Sequence, residues 1–129
     1  MSIIDRMDHF TILSPLLAKT RAFYEALGLT VGPRPDFPVA GLWLYAGDEP
    51  VLHIIEVSDP AANNGILDHM AFAGTDINAL LKFLRTQEIT YHLNQVDPPF
   101  AAWQVFFRDP NGAKVEIGFK ISETPKTEA

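Results

Sequence analysis

The chain has 129 residues, 47% hydrophobic and 20% charged, enough for one compact domain with a real core and too few for two ordinary ones. It contains no cysteine, which excludes disulfide scaffolds, thiolate zinc sites and cysteine nucleophiles and leaves His, Asp and Glu as the strong metal donors. A net charge of −6 without a Lys/Arg cluster speaks against nucleic acid or an anionic membrane as partner, and the lack of a basic leader or long apolar run predicts a cytoplasmic protein that spans no membrane.

Residues 7–12 alternate, with Phe10 and Ile12 on one face and His9 and Thr11 on the other, the pattern of a half-buried strand. Ser14-Pro15 then supplies a helix N-cap and a first-turn proline, and Leu16, Phe23 and Leu27 mark an apolar stripe that ends before Gly28. Three prolines within residues 32–38 restrict that stretch to an edge strand or an extended loop. Gly41 to Ala46 and Val51 to Val57 read as two strands joined by a hairpin turn at residues 47–50. The first half is therefore β-α-β-β-β.

Residues 58–66 are polar and turn-rich and serve as a connector. The pattern then restarts. Leu67 to Ala73 is a strand, and Thr75 caps a helix whose stripe is Ile77, Leu80, Leu81 and Leu84. Ile89 to Val96 is extended, and Trp103 to Phe107 pairs with Ala113 to Phe119 through a turn holding Asn111-Gly112. From Lys120 the chain reads as a loose polar tail, residues 120–129. Laying residues 7–57 on 67–117 without a gap gives eight identities: Asp8/Asp68, His9/His69, Phe23/Phe83, Thr30/Thr90, Pro38/Pro98, Trp43/Trp103, Pro50/Pro110 and Glu56/Glu116. Composition alone would give about three, so the chain reads as a single domain made of two copies of one module, residues 7–57 and 67–119.

Strand parity carries the functional reading. His9 lies with Thr11 opposite Phe10 and Ile12, and Glu116 lies with Lys114 opposite Val115 and Ile117. If both copies follow one rule, His9, Glu56, His69 and Glu116 all lie on the sheet face away from the helices. Bare charges gathered in a pocket are costly, and a divalent cation compensates them. Gln104 and Phe106 share the ligand parity and, with Thr11, are candidate pocket-lining residues. His53 shares parity with Ile55 and reads as structural, His92 has no fixed place, and Trp43 and Trp103 read as helix-facing core.

The duplicated unit, the opening Asp-His, the run Phe23-Tyr24-Glu25-Ala26-Leu27-Gly28-Leu29 and the hairpin Asp109-Pro110-Asn111-Gly112 followed by Glu116 resemble the vicinal oxygen chelate superfamily, which includes glyoxalase I, bleomycin-resistance proteins and extradiol dioxygenases. The resemblance implies an α+β fold of eight strands in a cup around a divalent metal (Ni, Co, Zn, Mn or Fe), with His9, Glu56, His69 and Glu116 on the ligand positions. It further implies a homodimer acting on a small organic substrate. Two His and two Glu match the glyoxalase I pattern: a substrate with vicinal oxygens is isomerised or cleaved through a metal-bound enediolate, with Glu56 or Glu116 as the base. Few arginines stand where a glutathione carboxylate could be held, so another vicinal-oxygen substrate stays open. Two alternatives remain: an iron(II) extradiol dioxygenase with His9, His69 and Glu116 as a facial triad, and a metal-free binding protein of the bleomycin-sequestering kind.

Overall fold

The computed structural model describes residues 6–60, 67–99 and 101–126; residues 61–66 of the expected connector, and Phe100, lie outside the described residues. Two compact units, Met1–Asn63 and Asn64–Ala129, each hold one β-α-β-β-β module, so the chain is α+β as its pattern predicts. Among the described residues no helix is long and apolar enough to cross a membrane.

Module 1 consists of β1 (Phe10–Ser14), α1 (Leu17–Ala26), β2 (Thr30–Gly32), β3 (Gly41–Ala46) and β4 (Glu49–Glu56). Its sheet has the order β1-β4-β3-β2, with β1 parallel to β4 and the other pairs antiparallel, and α1 makes the crossover that a parallel pair requires. Leu44, Leu52 and Ile54 are fully buried on the face covered by α1, which buries Thr20 and Tyr24 in return. The start of α1 departs from the expected cap. Leu16 holds the N-cap position without a side-chain hydrogen bond, and Ser14 is the last residue of β1, buried, its Oγ accepting from Leu16 N at 2.9 Å. Pairing of Ser14 with Glu56 keeps it in the strand, and the stripe moves with it: Leu16 is 39% exposed, whereas Thr20 is buried.

Module 2 consists of β5 (Met70–Ala73), α2 (Ile77–Thr86), β6 (Tyr91–Val96), β7 (Ala102–Arg108) and β8 (Lys114–Lys120), in the sheet order β5-β8-β7-β6. Its core joins Val105, Phe107, Val115, Ile117 and Phe119 to the expected stripe Ile77, Leu80, Leu81 and Leu84, all buried. Asp76, one residue after Thr75, is the N-cap and accepts from Ala79 N at 3.1 Å. The β7–β8 turn is built by buried Asp109, whose Oδ1 accepts from Asn111 N at 2.8 Å and Ala113 N at 3.0 Å, while Gly112 takes the left-handed φ of +82° that this turn needs.

Residues 121–126 are not loose. The Glu123 carboxylate accepts from Ile77 N at 3.0 Å, Asn78 Nδ2 donates to Thr124 O at 3.1 Å and Lys126 N donates to Asn78 Oδ1 at 2.7 Å. The first turn of a helix exposes unpaired N–H groups and the positive end of its dipole, so a carboxylate from a polar segment is a natural partner.

The two modules match in spacing only part of the way. Their helices stand 60 residues apart, Leu17–Ala26 against Ile77–Thr86, and Gly32 opposite Trp43 corresponds to His92 opposite Phe106. On the hairpins the spacing is 63: Trp43 pairs with His53 where Phe106 pairs with Glu116. Between these matched pairs module 2 thus carries three more residues, 93–105 against 33–42, although the irregular stretch between its strands, 97–101, is shorter than the 33–40 of module 1. The identities Trp43/Trp103, Pro50/Pro110 and Glu56/Glu116 lie beyond that break and join positions that are not structurally equivalent.

Replacing Glu123 with Ala should remove the acceptor at the α2 N-terminus and cost about 1 kcal/mol, a fall of about 3 °C in thermal midpoint. Glu123→Gln, which keeps an acceptor oxygen, should retain most of that stability. Thermal melts followed by circular dichroism check both.

Candidate functional site

On the face of module 2 away from α2, the register sets Ala71, Glu116, Phe106 and His92 in one row across the sheet, with Ala73, Gly118, Gln104 and Asn94 in the next. His69 immediately precedes β5, on the same parity as Ala71. Its Nε2 lies 3.1 Å from Glu116 Oε1, and its Nδ1 lies 2.8 Å from Asp68 Oδ2. Glu116 is the more enclosed partner, with its side chain 16% exposed against 31% for His69. Asp68 also receives Lys114 Nζ at 3.3 Å, and these two contacts, His69 first, hold its carboxyl below the ordinary carboxylate value. Phe106 meets the His69 ring edge-on at 5.9 Å, and Asn94 Nδ2 donates to Gln104 Oε1 at 2.9 Å. Gln104 and Phe106 thus stand on the Glu116 face.

Gly118 lies on this face beside Glu116. A Cβ there would have nothing nearer than 4.0 Å, whereas a Cβ on Gly41 would meet Ile54 O at 2.3 Å and one on Gly74 would meet the Phe119 ring at 2.3 Å. Packing explains those two glycines; at Gly118 a Cβ would make only ordinary contacts, with Glu116 Oε2 and Trp103 O at 4.0 Å, so the site beside the carboxylate is uncrowded.

Module 1 is built differently. His9 repeats the first contact, its Nδ1 lying 2.6 Å from Asp8 Oδ2, and this hydrogen bond is the main influence holding Asp8 below the ordinary carboxylate value. Among the described residues, no carboxylate meets the other side of His9. Its ring stacks on His53, with centroids 3.7 Å apart and planes within 17°, and His53 stacks on Trp43 at 3.8 Å and 8°. His53 pairs with Thr11 on β1 and Trp43 on β3, so Thr11, Trp43 and His53 share the face of His9. The expected helix-side places of His53 and Trp43 are thereby corrected; Trp103, paired with buried Phe119, does take the helix side. Glu56 pairs with Ser14 at the far end of β1, five residues from His9 and about 16 Å along a strand. By alternation it shares the Leu52 and Ile54 face, and it is exposed.

The cause is numerical: a shift of three residues is odd, and an odd shift exchanges the two faces of a strand. Leu52 and Ile54 lie inward while Val51 and Ile55 alternate with them, so β4 is apolar on both parities and its own pattern does not select a face. The three extra residues of module 2 lengthen β6 and β7 and not the loop between them, so loop length carries no signal of the shift.

The donors of module 2 fit a divalent ion. Two ligands on adjacent positions, each about 2.1 Å from an ion, stand about 3.0 Å apart, close to the 3.1 Å between His69 Nε2 and Glu116 Oε1. A His whose other nitrogen is hydrogen-bonded to a carboxylate is also the usual form of a metal-binding His. In module 1, His53 Nε2 lies 3.2 Å from Pro50 O, which occupies that nitrogen. Among the described residues, no group of three or more His, Asp or Glu side chains is gathered closely enough to hold a metal ion.

The chain thus has two β-α-β-β-β modules, one of them with a His and a Glu meeting on the sheet face away from its helix. The model of the Glyoxalase/Bleomycin resistance protein/Dioxygenase superfamily matches residues 6–117, and the chain belongs to that superfamily. Among solved structures it is similar to a glyoxalase family protein from Bacillus anthracis, with TM-score 0.72 and 23% identity over 93% of this chain and 98% of that one. A glyoxalase family protein from Enterococcus faecalis gives TM-score 0.68 and 28% identity over 91% and 99%. Lactoylglutathione lyase from Agrobacterium tumefaciens gives 0.66 and 21% over 92% and 96%. No curated protein matches the chain.

Burial, and then the neighbouring His9, lower the pKa of His53 from its ordinary 6.5. Folding therefore favours the neutral ring: the stability is complete above the unfolded value and is lost as pH falls through it, when the unfolded chain takes up a proton that the folded chain resists. Thermal midpoints measured at pH 7.5 and 5.5 should fall more for the native protein than for His53→Phe, which keeps a stacking ring and cannot titrate.

Proposed function

We propose that the protein is a divalent-metal-dependent enzyme of the glyoxalase type that isomerises or cleaves a small substrate carrying two vicinal oxygens. The observation that carries this reading is the His69–Glu116 pair, 3.1 Å apart on the open face of module 2 beside the uncrowded surface at Gly118. Superfamily membership and the likeness to a lactoylglutathione lyase support it.

His69 Nε2 and Glu116 would hold the ion, which can be Ni, Co, Zn, Mn or Fe. When bound, the ion supplies charge stabilisation for two adjacent substrate oxygens. Glu116 moves the proton: a carboxylate beside the reacting carbons takes it from one and returns it to the other. Gln104, with its carbonyl engaged by Asn94, turns its amide hydrogens to the substrate, and Phe106 supplies an apolar wall. Glu56 is not needed in this scheme, since it lies at the opposite end of β1 from His9. The acidic chain suits a small-molecule partner. Homodimer formation belongs to the same reading.

The position of Glu56 also favours a second reading, an iron(II) extradiol dioxygenase, because that chemistry does not use it as a ligand.

Metal-loaded protein should convert hemithioacetals or α-hydroxyketones without oxygen uptake. Glu116→Gln, assayed at saturating metal, should lower kcat by about 10²-fold or more, and Glu56→Gln should leave it unchanged. Full activity in Glu116→Gln overturns the assignment of the base, and oxygen uptake with catechols establishes the dioxygenase instead.

A further inference from the structure

The geometry points to Asp68 and Lys114 as positioning residues that hold the His69 ring with Nε2 turned to Glu116. The inference rests on the reading of His69 and Glu116 as the working pair, and it goes beyond that reading by naming what keeps them aligned.

His69 stands just before β5, outside the strand, with its side chain 31% exposed. The sheet therefore does not fix its ring, and an imidazole on a free χ2 would turn either nitrogen to Glu116. Asp68 removes that freedom by taking Nδ1 at 2.8 Å. Asp68 itself is 74% exposed, and a solvated carboxylate is a weak anchor unless something anchors it in turn. Lys114 does so. Its Nζ reaches Asp68 Oδ2 at 3.3 Å and lies 5.3 Å from the centre of the Phe106 ring, a cation–π contact. Lys114 is two residues before Glu116 on β8 and shares its face, Phe106 pairs with Glu116 on β7, and Phe106 also touches the edge of the His69 ring. The contacts close on themselves: Lys114 to Asp68, Asp68 to His69, His69 to Glu116, and Phe106 against both Lys114 and His69.

Module 1 serves as an internal control. It repeats the Asp-His contact through Asp8 and His9 at 2.6 Å, but His53 stands where Glu116 does, and a register shift sets Pro50 opposite Tyr45 where Lys114 lies opposite Arg108, so no cation stands there. The carboxylate–imidazole contact is thus common to both modules, and its extension to a cation at one end and a second carboxylate at the other belongs to module 2.

Two readouts on the full chain test this. In the metal-free protein, proton NMR of the His69 ring reports its orientation through shielding by Phe106. Asp68→Ala and Lys114→Met should each move the His69 ring resonances toward those of a free imidazole, Asp68→Asn, which keeps an acceptor oxygen, should move them less, and thermal midpoints should stay within about 2 °C. In zinc titrations by calorimetry, Asp68→Ala should weaken binding by about 10- to 100-fold and Asp68→Asn by less. Unchanged ring resonances in Asp68→Ala overturn the positioning role, whatever the metal result. If the native protein takes up no zinc, the metal reading fails, and the ring resonances still decide whether Asp68 and Lys114 hold His69.

Discussion

The register of the two hairpins governs what each sheet can do. A strand presents alternate side chains to opposite faces, so the partner that sits across from a residue decides whether it meets the helix or the open side. In module 2 Phe106 lies across from Glu116, and both face the open side with His69. In module 1 the same two places are filled by Trp43 and His53. One open face therefore carries a carboxylate beside an imidazole, and the other carries stacked rings. The difference in what meets the histidine ring on the two faces follows from that exchange.

Much of this was legible in the residues. The helix stripe of Ile77, Leu80, Leu81 and Leu84, the Asn-Gly turn, the β-α-β-β-β order and the Glu116 parity all rest on local alternation within segments whose two faces differ in polarity. The misplaced residues share a different physical situation. β4 is apolar at Val51, Leu52, Ile54 and Ile55, so its pattern supports either face, and a gapless overlay of the two halves chose the wrong one for Glu56, His53 and Trp43. Residues 33–42 are three fewer than their counterpart 93–105, yet the irregular stretch 33–40 is longer than 97–101, so loop length hides the gap. The docked segment after Lys120 escaped for a related reason: a polar stretch that pairs with a helix end looks, by composition, like one that pairs with water.

Asp68 and Asp8 show how a motif can be visible before its purpose is. The Asp-His dipeptide repeats at a spacing of 60, and adjacent residues on one strand would point to opposite faces. In both modules the pair lies just ahead of the strand, where that alternation does not apply, and the carboxylate reaches the ring of its own neighbour. Placing the dipeptide one step earlier in the chain than the strand proper is what lets Asp68 act on His69 at all.

The division between the modules also bears on which group can move a proton. Stacked aromatic rings offer apolar contact and weak, neutral hydrogen bonding, and desolvation keeps His53 toward its neutral form. Among the described strand residues of module 2 that face away from α2, namely Ala71 and Ala73, His92, Asn94 and Val96, Ala102, Gln104, Phe106 and Arg108, and Lys114, Glu116, Gly118 and Lys120, Glu116 is the single carboxylate. It is also the member of the pair with less solvent around it, next to a glycine that leaves the adjoining surface clear. General base chemistry requires a carboxylate, an unobstructed approach and a partner that orients what it acts on. In the proposed reading Glu116 is the residue of this sheet that would meet them, with His69 as the partner that orients what it acts on.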